Sequence, residues 1–113
     1  MTPTEYEHHV AGLLRAECWA DRVTPPSRDF GLDIICEQPG RRLGVQVKMY
    51  GEMRPINAQM VMHLYGAAAY QDCSEMMIAT NGRVLDDARQ VAAKLGVEIR
   101  HVPAPALGVI PRR

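Results

Sequence analysis

The chain has 113 residues, 47% of them hydrophobic, so it can build one hydrophobic core without disulfides or a structural metal. Thirteen basic and thirteen acidic residues give a formal net charge of zero, which argues against a protein that holds DNA by bulk charge alone. A nuclease is not excluded, because carboxylates that bind a metal offset basic residues in the sum. No apolar run approaches the ~20 residues of a membrane-spanning helix.

The cysteine pattern and the N-terminal segment indicate the cellular compartment of the protein. The chain has three cysteines, which are widely spaced: Cys18, Cys36 and Cys73. An odd number without close pairs is typical of free thiols in a reducing compartment rather than of disulfides or a zinc site. The first residues, MTPTEYEHH, are polar and acidic, so no secretory signal is expected. We therefore expect a cytoplasmic protein without membrane association.

The N-terminal segment has the pattern of a capped helix. Thr2 suits the N-cap, Pro3 the first helical position, and Glu5 completes a capping box with Thr2. Thr4 and Glu7 have the same spacing, so a capping role for Glu7 stays open. An apolar stripe continues the helix through Tyr6, Val10, Leu13 and Leu14. A short strand over 19–23 is expected next, and it ends at Pro25-Pro26.

The following segment predicts a β-hairpin. FGLDIICEQ and LGVQVKMY have the composition of strands, and Pro39-Gly40 with the two arginines after it forms the turn. If the turn is symmetrical about Pro39-Gly40, opposed residues have numbers that sum to 79. Asp33 then faces Gln46, and Lys48 lies diagonally adjacent on the same face. A loop of odd length or a bulge would break this pairing.

The remaining chain alternates helices and strands. The pattern predicts a helix over 57–70, a strand over 76–80, a helix over 84–95 that stops at Gly96, and a last strand over 97–101. The order αβββαβαβ predicts an α/β fold in which a mixed sheet is flanked by helices. We expect a single domain over residues 1–113, with a core over about 4–102 and an irregular tail over 103–113.

The residues of the hairpin suit hydrolysis of a phosphodiester. A hard cation such as Mg2+ takes oxygen ligands, which Asp33 and the Gln46 amide can supply. Lys48 can orient or deprotonate a water molecule, or stabilise charge on the phosphate. Glu7 is the candidate for a further anionic ligand, because glutamine carries no charge. The open alternative is an exposed edge strand whose polar face carries Gln46 and Lys48, which is the commoner reason for such a pattern.

The motifs of the chain resemble those of a known family. They are Tyr6-Glu7, the D-F-G-L-D run that ends at Asp33, V-Q-V-K, Leu64-Tyr65-Gly66-Ala67 and I-A-T-N-G. In order and spacing they resemble the Mrr-type restriction endonuclease domain, over roughly Tyr6 to Val102. That domain belongs to the PD-(D/E)xK nuclease superfamily, which also contains the archaeal Holliday-junction resolvases. The resemblance implies a restriction-endonuclease-like αβββαβ core.

The resemblance also implies roles for individual residues. Asp33 corresponds to the metal-binding aspartate, Lys48 to the catalytic lysine, and Glu7 to the glutamate of the first helix. Gln46 takes a position where most of the superfamily has Asp or Glu, although the Mrr-type branch commonly has Gln. The implied metal site is therefore Glu7, Asp33 and Gln46 with Mg2+, for which Mn2+ can substitute.

Several residues near the predicted site are candidates for DNA contacts. They are Ser27, Arg28, Arg41, Arg42 and Arg54. Ser27 lies in the loop where the resemblance to resolvases implies a functional serine. For any single arginine, an ordinary solvated surface position is the competing interpretation. The four histidines lack the spacing of a metal site, so we expect them to be surface or helix-packing residues.

The resemblance leaves the substrate open. A nuclease core without a recognition domain favours a substrate selected by shape, so we expect a dimeric, structure-selective endonuclease that cleaves branched DNA, most simply a Holliday-junction resolvase. The apolar tail ALGVI is a candidate for the dimer contact. One alternative is a restriction-type nuclease whose recognition domain is another chain. A catalytically inactive nucleic-acid-binding subunit is the other.

Overall fold

The computed structural model describes residues 1–23 and 31–105, and these form three helices and five strands. In chain order they are α1 (Pro3–Ala16), β1 (Ala20–Val23), β2 (Ile34–Gln38), β3 (Arg41–Lys48), α2 (Ala58–Tyr70), β4 (Glu75–Thr80), α3 (Asp86–Leu95) and β5 (Val97–His101). The predicted α/β class and the order αβββαβαβ are confirmed.

The strands form one mixed sheet in the order β1-β2-β3-β4-β5. The first three strands are antiparallel neighbours, and β3, β4 and β5 run parallel to one another. Parallel neighbours need a crossover connection, which α2 supplies between β3 and β4 and α3 between β4 and β5. Among the described residues, no helix is long and apolar enough to cross a membrane.

Each face of the sheet carries its own hydrophobic core. On one face, α1 packs through Tyr6, Val10 and Leu14 against the side of β3 that carries Leu43 and Val45. On the other face, buried residues of α2 and α3 pack with Ile35 and Ile78. Because side chains alternate along a strand, Gln46 and Lys48 belong to the face that α2 covers.

The ends of α1 and α3 confirm the predicted capping box at Thr2 and the predicted stop at Gly96. Thr2 and Glu5 form the full capping box, with Thr2 N donating to Glu5 Oε1 over 2.7 Å and Glu5 N donating to Thr2 Oγ1 over 3.1 Å. Asn57 is the N-cap of α2, and its Oδ1 accepts from Met60 N over 3.0 Å. Gly96 ends α3 with a φ of 74°, in the left-handed region that glycine adopts without strain.

The predicted hairpin register is confirmed within the strands and wrong at Asp33. Pairs from Ile34–Val45 to Gln38–Arg41 follow the expected sum of 79 around a turn in which Gly40 has a φ of 74°. The ladder begins at Ile34, however, and not at residue 30 as the strand pattern predicted. A φ of 98° at Gly31 interrupts the extended backbone two residues before Asp33. Asp33 therefore does not pair directly with Gln46 but forms hydrogen bonds with Val45 and Val47, the two neighbours of Gln46.

Two predicted segments fall outside the described residues. The segment over 24–30, which contains Pro25-Pro26, Ser27 and Arg28, is one, and the tail sequence ALGVI over 106–110 is the other. Val102, just after β5, is buried, and its N donates to Thr80 O over 2.8 Å. The assignment of the whole chain to a single domain stays a prediction.

Candidate active site

Asp33 is held against β3 by two hydrogen bonds. Its backbone N donates to Val45 O over 2.8 Å, and its side-chain Oδ2 accepts from Val47 N over 2.7 Å. Val45 and Val47 are the two neighbours of Gln46 in β3. The carboxylate is thus tied to the backbone between Gln46 and Lys48, although Asp33 itself lies outside the ladder.

Gln46 lies under α2 and is only 4% exposed. Its Nε2 is 3.2 Å from Nδ1 of His63 on α2. Within the part of the chain that the structure describes, Gln46 Oε1 is buried without a hydrogen-bond partner. A buried amide oxygen without a partner is costly, so this atom is one that a ligand would satisfy.

Lys48 is the last residue of β3 and borders a groove of about 560 Å³. The groove runs along the start of α2, and the other residues that line it are Asn57, Gln59, Met60, Met62 and His63. Lys48 is half-buried, as is usual for a lysine whose aliphatic stem packs against protein. A substrate in this groove would contact both Lys48 and the first two turns of α2.

Positive charge gathers around the ring of Tyr50, just beyond β3. Lys48 Nζ lies 5.6 Å from the ring centroid, and Arg54 Cζ lies 4.1 Å from it. Both distances fall within the range of cation–π attraction, which restrains the two cations next to the aromatic ring. Of the predicted DNA-contacting arginines, Arg54 is the one that the described structure brings to Lys48.

The I-A-T-N-G motif anchors the end of β3 and the loop after it. Thr80 Oγ1 donates to Lys48 O over 2.7 Å and accepts from Gly82 N over 2.9 Å. Asn81 Oδ1 accepts from Gly51 N over 2.9 Å. A Cβ on Gly82 would lie 3.1 Å from Tyr50 Cβ, so glycine allows the two segments to approach closely. The motif therefore positions Lys48 and the Tyr50 loop.

Glu7 lies at the same end of the sheet as Lys48, on the helix that covers the opposite face. The neighbouring Tyr6 hydroxyl donates to Val102 O over 2.5 Å, and Val102 N donates to Thr80 O, next to the end of β3. Since the capping box uses Thr2 and Glu5, the alternative capping role of Glu7 is not needed. The approach of its carboxylate to Asp33 and Gln46 stays a prediction.

The donor set fits a hard divalent cation. Asp33 offers a carboxylate that is oriented by Val47 N, and Gln46 offers a buried oxygen without a protein partner. Over residues 1–23 and 31–105, no three His, Cys, Asp or Glu side chains gather as a metal cluster. An ion at this position would therefore take few protein ligands, which suits Mg2+, because Mg2+ keeps several water or phosphate oxygens.

The buried thiol and phenol near the sheet are held in their neutral forms. Burial, with a further contribution from Asp21, raises the pKa of the Cys36 thiol to about 12. Burial likewise raises the pKa of Tyr6 to about 12, which keeps its hydroxyl as the donor to Val102 O. A thiolate is the metal-binding and nucleophilic form of cysteine, so Cys36 supplies neither function near neutral pH.

Two predicted DNA-contacting residues lie at the other end of β3. Arg41 makes two hydrogen bonds to Glu75, of 2.8 and 2.7 Å, and stacks 4.7 Å from the Trp19 ring. Arg42 pairs with Glu37. With ~3.3 Å per strand residue, both are about 20 Å from Lys48. The structure does not bring Arg41 and Arg42 to the site, and their contact with DNA stays a prediction. Ser27 and Arg28 lie outside the described residues, so their contact with DNA stays a prediction as well.

His63 is the residue that the sequence interpretation missed. The sequence predicts a surface or helix-packing histidine, and His63 is indeed exposed. It also contacts Gln46 and lines the groove beside Lys48. The order of the predicted elements could have indicated this position of His63. A helix that joins two parallel strands must cover one face of the sheet, and here that face carries Gln46 and Lys48.

The comparisons with known proteins give a family and a fold. The Mrr_cat family, described as restriction endonuclease, matches residues 1–107. A comparison with curated proteins gives no match. Among solved structures, the protein of unknown function AF1548 has a TM-score of 0.72 at 17% identity, and the match covers 84% of this chain and 55% of that one.

Two further structures are of proteins with a named activity. Hjc, a Holliday junction resolvase from Archaeoglobus fulgidus, has a TM-score of 0.55 at 20% identity, covering 74% of this chain and 66% of its own. A repair endonuclease from Pyrococcus abyssi has a TM-score of 0.62 at 14% identity, and the match covers 88% of this chain and 47% of that one. The chain spans less than two thirds of the length of each of the three structures. At these identities the likeness shows the fold alone, and it confirms the restriction-endonuclease-like core.

The family match includes α1, the whole sheet and every candidate site residue named above. The likeness to the resolvase and repair-endonuclease folds agrees with it. The chain belongs to the Mrr_cat restriction endonuclease family, which is a family of nucleases.

Proposed function

We propose that this protein is a divalent-metal-dependent DNA endonuclease that hydrolyses phosphodiester bonds. The observation that carries the proposal is the hydrogen bond from Val47 N to Asp33 Oδ2, which holds a carboxylate between Gln46 and Lys48. This contact ties Asp33 to the strand that carries Gln46 and Lys48, although Asp33 itself lies outside that strand. Membership of a restriction endonuclease family supports the same activity.

In this proposal, Asp33, Gln46 and Glu7 hold Mg2+, and Mn2+ can replace it. The ion would lower the pKa of water and neutralise charge on the scissile phosphate. Lys48 contacts the reacting phosphate, where its ammonium group stabilises negative charge that develops on the oxygens. Arg54, restrained on Tyr50, binds a neighbouring phosphate.

Cleavage assays with purified protein test the nuclease proposal. Labelled DNA is incubated with Mg2+, with Mn2+ or with EDTA, and Lys48→Met is compared with Lys94→Met. Lys94 is exposed in the last turn of α3 and is therefore a matched control. We expect cleavage only with metal, lost in Lys48→Met and retained in Lys94→Met. DNA binding without cleavage in any metal would favour the inactive nucleic-acid-binding subunit instead.

We further propose that the substrate is branched DNA, with a four-way junction as the simplest case, and that the protein acts as a homodimer. The support is the fold shared with a Holliday junction resolvase and with a repair endonuclease. Two-fold symmetry would place two active sites on the two strands to be cut. The groove beside Lys48 is lined by one short helix segment, which offers little surface for base-specific readout.

A substrate panel separates this proposal from its competitor. Four-way junction, fork and linear duplex of the same sequence are compared, and the mass of the protein in solution is measured by sedimentation. Paired nicks confined to the junction by a dimeric protein are expected. Cleavage of linear duplex at equal rates would favour the alternative, a restriction-type nuclease whose recognition domain is another chain. The family description supports the restriction-type activity in that alternative.

We also propose a cytoplasmic location. The support is that Cys18, Cys36 and Cys73 are all free thiols, as in proteins of reducing compartments. Fractionation of cells that express a tagged protein tests this proposal, and recovery from an oxidising compartment would contradict it.

A further inference from the structure

We propose that His63 is a positioning residue that fixes the orientation of the Gln46 side-chain amide, so that Gln46 Oε1, and not Nε2, is presented to the metal ion. This inference rests on the proposed function, because it takes Gln46 as a metal ligand. It assigns His63 a role in cation binding without direct contact to the metal.

The argument starts from the two ends of one amide. Gln46 Nε2 lies 3.2 Å from His63 Nδ1, whereas Oε1 is buried without a partner among the described residues. An amide nitrogen only donates hydrogen bonds, so with the amide in this orientation His63 Nδ1 serves as the acceptor. In this arrangement the ring N–H that remains is at Nε2.

The opposite orientation of the amide would defeat cation binding. If the amide turned over, Oε1 would accept from a protonated Nδ1, and the two N–H groups of Nε2 would take the position of the oxygen. A hard cation binds oxygen and is not coordinated by an amide NH2 group. The acceptor at His63 therefore selects the orientation of Gln46 that can bind metal.

Glutamine needs this support more than the acidic residues do. A carboxylate presents an oxygen in either orientation, whereas an amide presents an oxygen in only one. Partners that orient ligands in this way commonly determine metal affinity. The local packing holds the His63 ring in place, because a Cβ on Gly31 would lie only 2.9 Å from His63 Cε1 and 3.5 Å from Gln46 Nε2.

The first test measures Mn2+ binding to the full chain by electron paramagnetic resonance, with DNA absent. In His63→Ala we expect metal affinity to fall by about 10- to 100-fold, the usual effect of removing a residue that orients a ligand. His63→Asn keeps an acceptor near the position of Nδ1 and should restore affinity. His8→Ala, an exposed histidine of α1, is the matched control and should bind like the wild type.

The activity readout separates positioning from direct catalysis. For His63→Ala, the cleavage rate should recover at saturating Mn2+, because the lost quantity is metal affinity. A rate that stays low with metal saturated, or a His63→Asn variant no better than His63→Ala, would overturn the positioning role. Circular dichroism of each variant confirms that the fold is retained.

A second measurement does not depend on nuclease activity. Nitrogen-15 NMR of the His63 ring in mildly alkaline buffer should show protonated Nε2 and unprotonated Nδ1. The Nδ1-protonated form would overturn the inference, even if the protein cleaves DNA. If the tautomer and the His63-dependent Mn2+ binding are as expected but no DNA is cut, the nuclease proposal fails and the positioning role stands.

Discussion

The hydroxyl of Thr80 donates to the backbone carbonyl of Lys48 over 2.7 Å and also accepts from Gly82 N. Thr80 is fully buried at the end of β4, which lies parallel to β3 and pairs Thr80 with Lys48. One side chain therefore joins the last residue of the candidate catalytic strand to the turn that supports the Tyr50 loop. The I-A-T-N-G motif therefore supports the predicted metal site through the backbone of Lys48.

Substitution of Thr80 by valine tests the role of these two hydrogen bonds. Thr80→Val keeps the shape of the side chain but leaves Gly82 N without its acceptor, so we expect a loss of about 1–3 kcal/mol in the free energy of unfolding. Cleavage should also fall, because the end of β3 is less constrained. Urea denaturation measures the first effect. Thr4→Val, at an exposed position of α1, should change stability by no more than about 0.5 kcal/mol.

Substitution of Asp33 by asparagine separates its charge from its hydrogen bond. The asparagine oxygen can still accept from Val47 N, so the fold should be retained. Removal of a residue that only orients a metal ligand costs about 10- to 100-fold in affinity, so loss of the ligand's charge should weaken Mn2+ binding by at least about 100-fold. Calorimetric titration measures this change.

The control for Asp33 is Asp72→Asn. Asp72 has a φ of 61°, a conformation that asparagine also adopts readily, and it lies after α2 away from the groove. Its variant should bind Mn2+ like the wild type. Equal binding by wild type and Asp33→Asn would remove Asp33 from the metal site.

The strand part of the site could be predicted because its periodicity is simple. Alternation along β3 places Gln46 and Lys48 on one face, and the symmetrical turn around Pro39-Gly40 sets the register of β2. The position of Asp33 could not be predicted, since it follows the positive φ of Gly31, three residues before the ladder begins at Ile34. Asp33 therefore contacts β3 through one backbone and one side-chain hydrogen bond instead of pairing with Gln46 in the ladder.

His63 could not be predicted for a different reason. Successive residues of a helix point about 100° apart, so a small rotation of α2 decides whether residue 63 faces the sheet or solvent. The buried stripe of Val61, Leu64, Ala67 and Ala68 sets that rotation through packing that local sequence does not reveal. Only the assembled sheet shows that Gln46 lies beneath the helix edge that carries His63.

Two glycines near α2 should respond to alanine in opposite directions. In Gly31→Ala, the new Cβ would lie 2.9 Å from His63 Cε1 and 3.1 Å from Ala67 Cβ, at a φ of 98°. Backbone strain of this kind costs about 1–3 kcal/mol, and the His63 ring must move. Gly66, exposed in the interior of α2, has open space at its Cβ, so Gly66→Ala should add about 0.5–1 kcal/mol. Thermal unfolding of both variants measures the signs, and stabilisation by Gly31→Ala would contradict the packing described here.

Arg54 should contribute to DNA binding through phosphate contact. Loss of one phosphate contact lowers the slope of log affinity against log salt by about 0.9, so a salt titration of Arg54→Ala should show a shallower dependence than the wild type. Arg89→Ala, an exposed arginine of α3, serves as the control with an unchanged slope. The same titration on Arg41→Ala and Arg42→Ala tests the two arginines that pair with Glu75 and Glu37. An unchanged slope in Arg54→Ala would place the DNA elsewhere.

Tyr6 should make stability depend on pH in the alkaline range. Its pKa is raised by burial from 10.0 to about 12, so the hydroxyl is protonated in both folded and unfolded states below pH 10. Between pH 10 and about 12, the unfolded state loses the proton while the native state keeps it. The native state then binds more protons, and the free energy of unfolding should fall with rising pH by up to about 1.4 kcal/mol per pH unit.

Comparison of Tyr6→Phe with Tyr70→Phe isolates this contribution. Tyr6→Phe loses the hydrogen bond to Val102 O, so it should be less stable below pH 10 by about 1 kcal/mol. Its decline above pH 10 should be shallower than that of the wild type, and the part that remains includes the buried thiol of Cys36, whose pKa is also raised to about 12. Tyr70 is 70% exposed, so Tyr70→Phe should keep the wild-type slope. Urea denaturation across this pH range measures the free energy of unfolding of each variant. Equal slopes against pH in Tyr6→Phe and the wild type would mean that the native state does not hold the Tyr6 hydroxyl neutral.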